Sequence, residues 1–273
     1  MKLGIFENMP AEEYHALDAI GSSSLINMLI SPAHFHAAWK GPKEEPTSAM
    51  IRGNLIHSLL LEQDIGGFVA RPLDAKGNLV RSNSAEYKAF LEANPGKKPV
   101  DPEDFDNMYE MLTAFAKNTR AMAMLDHARI ETSIVALCPI TGLHVKARPD
   151  AWGHGYLDDL KSTSQMARFE NQLFQMSYDV RLAHYAYVIE LATGEKVDDF
   201  FFTPFETSRP FGSRVFQLSA SDVKDAKRRH LTILNEIAVC LKDNSWPCYS
   251  DEIITATKPR WMIEEEITFD GVG

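Results

Sequence analysis

Two aspartates and a lysine carry the chemistry most readily read from this chain. They lie in Arg148–Lys161, RPDAWGHGYLDDLK. In an extended strand, residues two apart share a face. Asp159 and Lys161 therefore project together, while Asp158 and Leu160 point the other way. Trp152-Gly153-His154-Gly155 is a turn signal. A hairpin centred between His154 and Gly155 sets Asp150 opposite Asp159, so that two carboxylates and one ammonium converge. That set suits hydrolysis of a phosphodiester. Carboxylate oxygens hold Mg²⁺, which keeps several of its waters. A bound divalent ion acidifies a water and neutralises charge on the phosphate. A neighbouring ammonium orients the attacking water and stabilises the transition state. Asp-x-Lys also occurs on ordinary surface hairpins, as an ion pair without chemistry. Pro149-Asp150 ahead of it and the β-like flanks carry the weight of the functional reading.

The elements that must position these groups change character along the chain. The first third reads as helical. Ser22–Ile30 has serines placed as caps ahead of apolar residues at helical spacing. Ser31-Pro32 starts a second helix over Ala33–Trp39, with Ser as N-cap and Pro at the first helical position. Gly41–Thr47 reads as a polar loop, Met50–Glu62 as an apolar helix containing His57, and Gly66–Asn83 as irregular. Ser84–Ala93 and Pro102–Asp126 read as helices. Then the period shortens. Thr132–Leu137 is β-rich, and Leu143, Val145 and Ala147 alternate with His144, Lys146 and Arg148, which is strand spacing. Tyr156–Lys161 is the next strand. Phe169–Leu191 returns to helix, Asp198–Pro204 and Arg214–Leu218 to strand, and Asp222–Asp243 is a long helix. The tail from Trp246 looks irregular. The expected architecture is one α/β (α+β) domain over 1–273, a central mixed sheet flanked by helices. It divides into a mainly helical part (1–126), a catalytic core (127–245) and a tail (246–273).

Composition narrows the function class. The 273 residues suffice for one large domain, and 45% hydrophobic with 24% charged is ordinary for a soluble protein. No apolar run approaches the roughly 20 residues of a membrane helix, and MKLGIFENMP lacks a secretory pattern, so the expected location is cytoplasmic. Three cysteines, Cys138, Cys240 and Cys248, contain no CxxC and read as buried reduced thiols. No P-loop is visible, so no nucleotide cofactor is expected. The net charge of −10 argues against a nucleic-acid ligand, because phosphate binding needs facing positive charge. A basic groove on an acidic body reconciles the two. Lys224, Lys227, Arg228 and Arg229 form the most basic stretch and read as a solvated helix face. Glu264-Glu265-Glu266 reads as a solvated charge run.

Taken together, these residues resemble the RecE-type (exonuclease VIII-like) branch of the PD-(D/E)XK nucleases, related to the RecB nuclease domain and, more remotely, lambda exonuclease. Pro149-Asp150 with Asp159-Leu160-Lys161 matches the core motif. Ser24-Leu25 with Ser31-Pro32-Ala33-His34-Phe35 is similar to the family's N-terminal segment. Gly53-Asn54-Leu55-Ile56-His57 followed by Leu59–Glu62 is similar to its G-x-x-x-H helix. The resemblance implies metal ligation by His57, Asp150, Asp159 and the Leu160 carbonyl. It assigns Lys161 as the catalytic lysine and offers Glu131 as a further acidic residue, against the plain alternative of a solvated strand-edge glutamate.

Where the family often carries Q-x-x-x-Y on a helix, this chain has Tyr178–Tyr185, YDVRLAHY, with Arg181 in the glutamine position. Residues four apart share a helical face, so Arg181 and Tyr185 can point together at a substrate, with Tyr178 beside them. Arginine there gives either a charge-assisted phosphate contact or an ion pair. The resemblance further implies two Mg²⁺ ions, with Mn²⁺ able to substitute, and processive 5′→3′ degradation of double-stranded DNA ends. It implies a ring-shaped homo-oligomer and a RecT-like single-strand annealing protein as recombination partner. Two alternatives stay open: a structure-selective or single-strand nuclease of the same fold, and a non-catalytic DNA-binding or assembly subunit.

Overall fold

The computed structural model describes residues 1–42 and 46–258. The chain enters through strand β1 (Gly4–Phe6) and helices α1 (Ala11–Ala16), α2 (Ser22–Leu25), α3 (Pro32–Lys40) and α4 (Ser48–His57). A short parallel pair, β2 (Phe68–Ala70) and β3 (Lys98–Val100), brackets α5 (Ala85–Ala93). Helices α6 (Pro102–Asp106), α7 (Met108–Ala116) and α8 (Thr119–Asp126) complete the helical part. Five strands follow: β4 (Arg129–Ile130), β5 (Ser133–Leu137), β6 (His144–Ala147), β7 (Ala151–Gly153) and β8 (Tyr156–Thr163). Then come α9 (Phe169–Gln175), α10 (Tyr178–Thr193), β9 (Asp199–Glu206), β10 (Phe216–Gln217) and α11 (Ala220–Asp243). The expected α/β arrangement of sheet and flanking helices is present. The Glu264–Glu266 run and the last part of the tail lie outside the described residues.

Several long helical stretches are broken, each for a local reason. α3 starts as its sequence predicts: the Ser31 hydroxyl accepts the His34 amide and Pro32 opens the helix. Ser22, by contrast, is not a cap. Gly21 precedes α2, which passes into a tight turn over Ile26–Leu29, and the Ser22 hydroxyl donates to Tyr185 Oη at 3.2 Å. The Met50–Glu62 stretch leaves α geometry after His57 and widens into a π turn over Ser58–Glu62. Such widened turns often mark functional positions. Pro102–Asp126 splits into three helices, and the Asn118 side chain caps the third by accepting the Ala121 amide. Phe169–Leu191 splits at Ser177, whose φ of +52° no α-helix accommodates. Gly66–Asn83 is not wholly irregular, since it holds β2. Cys138 and Cys240 are buried as expected, but Cys248 is exposed.

The sheet positions the site. Five strands run in the order β10-β9-β8-β7-β4, with β8 and β9 parallel and their neighbours antiparallel; β1-β5-β6 form a second sheet. The two sheets share one ribbon. Ile130 faces Ala151 and Ile134 faces Ala147, so one-for-one counting sets Glu131 opposite Asp150. The ribbon bends there, because Glu131 takes a left-handed φ of +46° and Pro149 has no N–H to donate. The Glu131 amide still donates to the Asp150 carbonyl at 3.2 Å. In the β7–β8 hairpin Ala151 faces Asp158, and the same count puts Asp150 opposite Asp159. Gly155, at φ +78°, closes that hairpin. A Cβ at Gly153 would lie 2.0 Å from the Tyr156 ring, so a side chain there would have to displace that ring from its bond to the Met124 carbonyl.

β8 separates two apolar layers. Leu157 packs with Phe200, Phe202 and residues of α9, α10 and α11. Leu160, on the other face, packs with Ile56, Leu60, Phe115, Ala121 and Phe205. Each such fully buried Leu or Phe contributes about 1.5–3 kcal/mol, which holds α4 and α10 on opposite sides of the strand. Asp158 shares the face of Leu160 and is fully buried. Both its oxygens accept from the Thr203 hydroxyl, at 3.0 and 2.8 Å. Burial lifts its pKa to about 7, with the Thr203 bond pulling the other way.

α10 and α11 are joined by a buried histidine pair. His184 Nδ1 lies 3.1 Å from His230 Nε2, and His184 Nε2 lies 3.1 Å from the Lys146 carbonyl. Burial depresses His184 to about 4 and His230 well below its ordinary value. An unfolded chain takes up protons near pH 6.5 that the folded one refuses. The pair's contribution is therefore complete above about pH 6.5 and is lost as pH falls toward 4. The raised carboxyls act in the opposite sense, so the comparison must be made against a variant. We expect His184→Gln to flatten the fall in urea-measured stability between pH 6.5 and 4.5, by up to about 1.4 kcal/mol per pH unit. An unchanged slope would remove His184 from the acid response.

Candidate active site

Three side chains that are far apart in sequence meet at the bend of the ribbon. α4 delivers His57 at its C-terminal end, the bend delivers Glu131, and the start of β7 delivers Asp150. Their ligand atoms all lie within 4.8 Å of one another. His57 Nδ1 is 3.6 Å from Asp150 Oδ2. That same oxygen accepts the Leu160 amide at 2.7 Å, which locks the carboxylate across β8. Asp159 and Lys161 stand one strand over, with their charges in direct contact. Lys161 Nζ also donates to the Leu160 carbonyl at 3.1 Å. The donors held closest together are thus His57, Glu131 and Asp150, while Asp159 and the Leu160 carbonyl are engaged by the lysine. Glu131 is not a solvated strand-edge residue; it lies inside the cluster.

Electrostatics mark this as a place short of positive charge. Burial and then the neighbouring Asp150 charge lift Glu131 to about 7. Burial, followed by repulsion from Asp159, raises Asp150 against the pull of His57 and Lys161. Burial lowers the Lys161 ammonium, but the carboxylates of Asp159 and Asp150 outweigh it and hold Lys161 above its ordinary value. Arg148 on Glu131, and His57 and Lys161 beside Asp150, only partly offset burial and the mutual repulsion of the carboxylates, which favour taking up a proton. A divalent cation would remove that pressure, and oxygen-rich donors with one imidazole suit the harder divalent ions. The residues present fit such an ion.

α10 lines the side of the site where Asp159 and Lys161 project. Lys161 Nζ lies 5.3 Å from the Tyr178 ring. The Tyr185 hydroxyl is raised to about 12 by burial and by the Asp159 charge. Arg181 forms no ion pair among the described residues. Its guanidinium carbon sits 5.6 Å from the Tyr178 ring, and its buried Nε has no hydrogen-bond partner there. The ion-pair alternative for Arg181 is therefore not the arrangement found.

One residue carries more of the site than its sequence position suggests. Arg148 Nε donates to Glu131 Oε2 at 2.6 Å, and Nη1 donates to the Met9 carbonyl at 2.7 Å and Ser133 Oγ at 3.2 Å. Nη2 is 3.7 Å from Glu62. Arg148 thereby holds Glu131 across the bend and ties the N-terminal segment to it. Its place just before Pro149-Asp150 was the available signal. The alternation through Lys146 and Arg148 gave that face as polar without indicating that residues 9–17 cover it. Lys146 Nζ reaches the carbonyls of Tyr14 and Leu17, both at 2.9 Å. On α11, Lys227 pairs with Asp198, Arg228 with Asp225 and Arg229 with Asp179, while Lys224 and Arg228 are exposed, as expected of a solvated helix face.

A bent mixed sheet carrying Pro-Asp and Asp-x-Lys on adjacent strands, with a histidine helix laid against them, defines a nuclease of the PD-(D/E)XK type. The chain belongs to the family described as a PDDEXK-like domain of unknown function (DUF3799), whose model matches residues 21–258. A solved structure of a candidate exonuclease from Eubacterium rectale has a TM-score of 0.56 at 13% identity, covering 91% of this chain and 96% of that one, a likeness of fold. The alkaline exonuclease LHK-Exo from Laribacter hongkongensis is more distant, with a TM-score of 0.30 at 12% identity over 86% of this chain and 97% of that one. No curated protein matches the sequence.

Proposed function

We propose that this protein is a divalent-metal-dependent DNA exonuclease that hydrolyses linear duplex DNA from its ends. The observation that carries the reading is the meeting of His57, Glu131 and Asp150 within 4.8 Å, one strand from the Asp159–Lys161 pair. His57, Glu131, Asp150 and Asp159 are the residues to hold one or two Mg²⁺ ions, or Mn²⁺ in their place, with the Leu160 carbonyl released from Lys161 as a further donor. A bound ion of this kind supplies an acidified water and charge neutralisation at the phosphate. Lys161 acts as an ammonium donor, since the carboxylates beside it keep it protonated. Its role is to orient the nucleophile and stabilise charge on the phosphate oxygens. Tyr178, Arg181 and Tyr185 line the substrate side, and the unpaired Arg181 guanidinium suits a phosphate contact. The order of degradation we favour is processive 5′→3′, in recombination of the phage type, with a ring-shaped homo-oligomer and a RecT-like annealing partner. These finer points rest on the motif resemblance.

The test is nucleotide release from linear duplex DNA in Mg²⁺. Lys161→Ala should lower the rate by about 10²–10³-fold, the usual loss for one transition-state donor. Duplexes labelled at the 5′ or 3′ end report polarity, and sizing in solution reports the ring. A wild-type protein that releases no nucleotides defeats the exonuclease reading.

A further inference from the structure

We propose that a basic cleft at the β10 edge of the sheet, built from Lys117, Arg120 and Arg214, holds the phosphodiester backbone of the DNA beyond the cleavage centre. The inference rests on the nuclease reading and extends it to residues that neither the motif nor the metal cluster includes. The cleft has a volume of about 530 Å³ and is formed where the α7–α8 junction meets the return loop after β9. Asn118 Nδ2 donates to Ser213 Oγ at 3.0 Å and pins its two walls together. Lys117, Arg120 and Arg214 are exposed, and none has an ion pair among the described residues. This contrasts with α11, where three basic side chains each have a carboxylate partner. Glu206, the last residue of β9, accepts the Gly212 amide at 3.2 Å. On a chain of net charge −10, three unpaired cations around one cleft mark a surface for a polyanion.

The sheet register ties this cleft to the chemistry. Lys161 pairs with Pro204 on β9. Phe205 bridges to Ser213, and the Arg214 amide donates to the Pro204 carbonyl at 3.1 Å. Arg214 therefore stands two strands from Lys161 in the same cross-sheet row. At about 4.8 Å per strand, that is roughly 10 Å. Residues in such a row share a face, and Arg214 lies 6.0 Å over the Phe216 ring on the side that packs against α9. Successive phosphates of one DNA strand advance about 3.4 Å along the helix axis. A backbone engaged at Lys161 thus passes Arg214 within a few nucleotides; Lys117 and Arg120 come from the α7–α8 layer on the Leu160 face, so the strand meets them where the cleft turns over the edge of the sheet.

The test measures binding of a fluorescein-labelled 30-base-pair blunt duplex in Ca²⁺ buffer, at salt from 50 to 200 mM. Three phosphate contacts add about 2.7 to the slope of log affinity against log salt. Wild type should lose about 40-fold more affinity across that range than Lys117→Gln/Arg120→Gln/Arg214→Gln, from that slope. The charge-keeping variant Lys117→Arg/Arg120→Lys/Arg214→Lys should retain the wild-type slope. Lys88→Gln/Lys224→Gln/Lys242→Gln removes equal charge elsewhere and should retain it too. A neutralised cleft with the wild-type slope overturns the proposal, as does an equal loss in the Lys88 control, which would make the effect one of net charge. Wild type that binds the duplex with this dependence but releases no nucleotides in Mg²⁺ overturns the nuclease reading and leaves the cleft standing.

Discussion

Asp150→Asn should abolish DNA cleavage, by at least about 10³-fold or some 4 kcal/mol of transition-state stabilisation, while leaving the fold intact. Asparagine keeps the shape of the side chain and an oxygen for the Leu160 amide that Asp150 now accepts at 2.7 Å. What it removes is charge. Asp150 lies opposite both Glu131 and Asp159 in the strand register, and its charge raises Glu131. Without metal the variant should therefore be at least as stable as wild type, because a buried repulsion has been relieved. With metal the order should reverse. An ion present at 100 times its dissociation constant adds about 2.7 kcal/mol to the state that binds it, which raises the melting temperature by about 5–10 °C in a chain of this size. Thermal melts with and without Mn²⁺, run beside nucleotide release, separate these effects. A variant that cleaves within tenfold of wild type, or that keeps the full metal-dependent rise, would remove Asp150 from the metal site.

The parts of this arrangement that were legible in the sequence are those governed by local geometry. The period of two in Asp159-Leu160-Lys161 and the glycine at position 155 suffice to give the β7–β8 register and the shared face of Asp159 and Lys161. Ser31-Pro32 gives the start of α3 for a similarly local reason. The helix breaks were less visible, because helical periodicity persists across Asn118 and Ser177 while the chain turns at both. Least visible were contacts made over long sequence separations. Nothing near Glu131 states that it will face Asp150 across a bend, since the bend arises from its own left-handed backbone together with Pro149. Nothing near Arg148 states that Met9 will cover it. The buried Asp158–Thr203 pair spans 45 residues and requires the parallel β8–β9 pairing. The cleft at Arg214 needs that same pairing before its relation to Lys161 can be seen.

Arg148→Met should destabilise the protein by about 3–5 kcal/mol at alkaline pH, the usual cost of breaking a buried ion pair, and by distinctly less at pH 6. The methionine retains the apolar stem that packs under the N-terminal segment but loses every bond to Glu131, Met9 and Ser133. Against a total stability of about 5–15 kcal/mol for a typical domain, that loss is large. Glu131 decides its pH dependence. With Arg148 in place its pKa is about 7, and both the hydrogen bond and the charge of Arg148 pull it down. Removing Arg148 raises it further. Well below pH 7, Glu131 is protonated in both proteins, so its charge contributes no difference. As pH rises through 7, wild type ionises a paired glutamate, whereas the variant must ionise an unpaired one or keep the proton, and the gap widens. Urea unfolding at pH 6 and pH 8.5 measures it. Adding Glu131→Gln to Arg148→Met should recover part of the alkaline loss, because the stranded charge is gone. An equal loss at both pH values, or no recovery in the double variant, would mean that Arg148 acts through its contacts to Met9 and Ser133 rather than by holding Glu131 in the metal cluster.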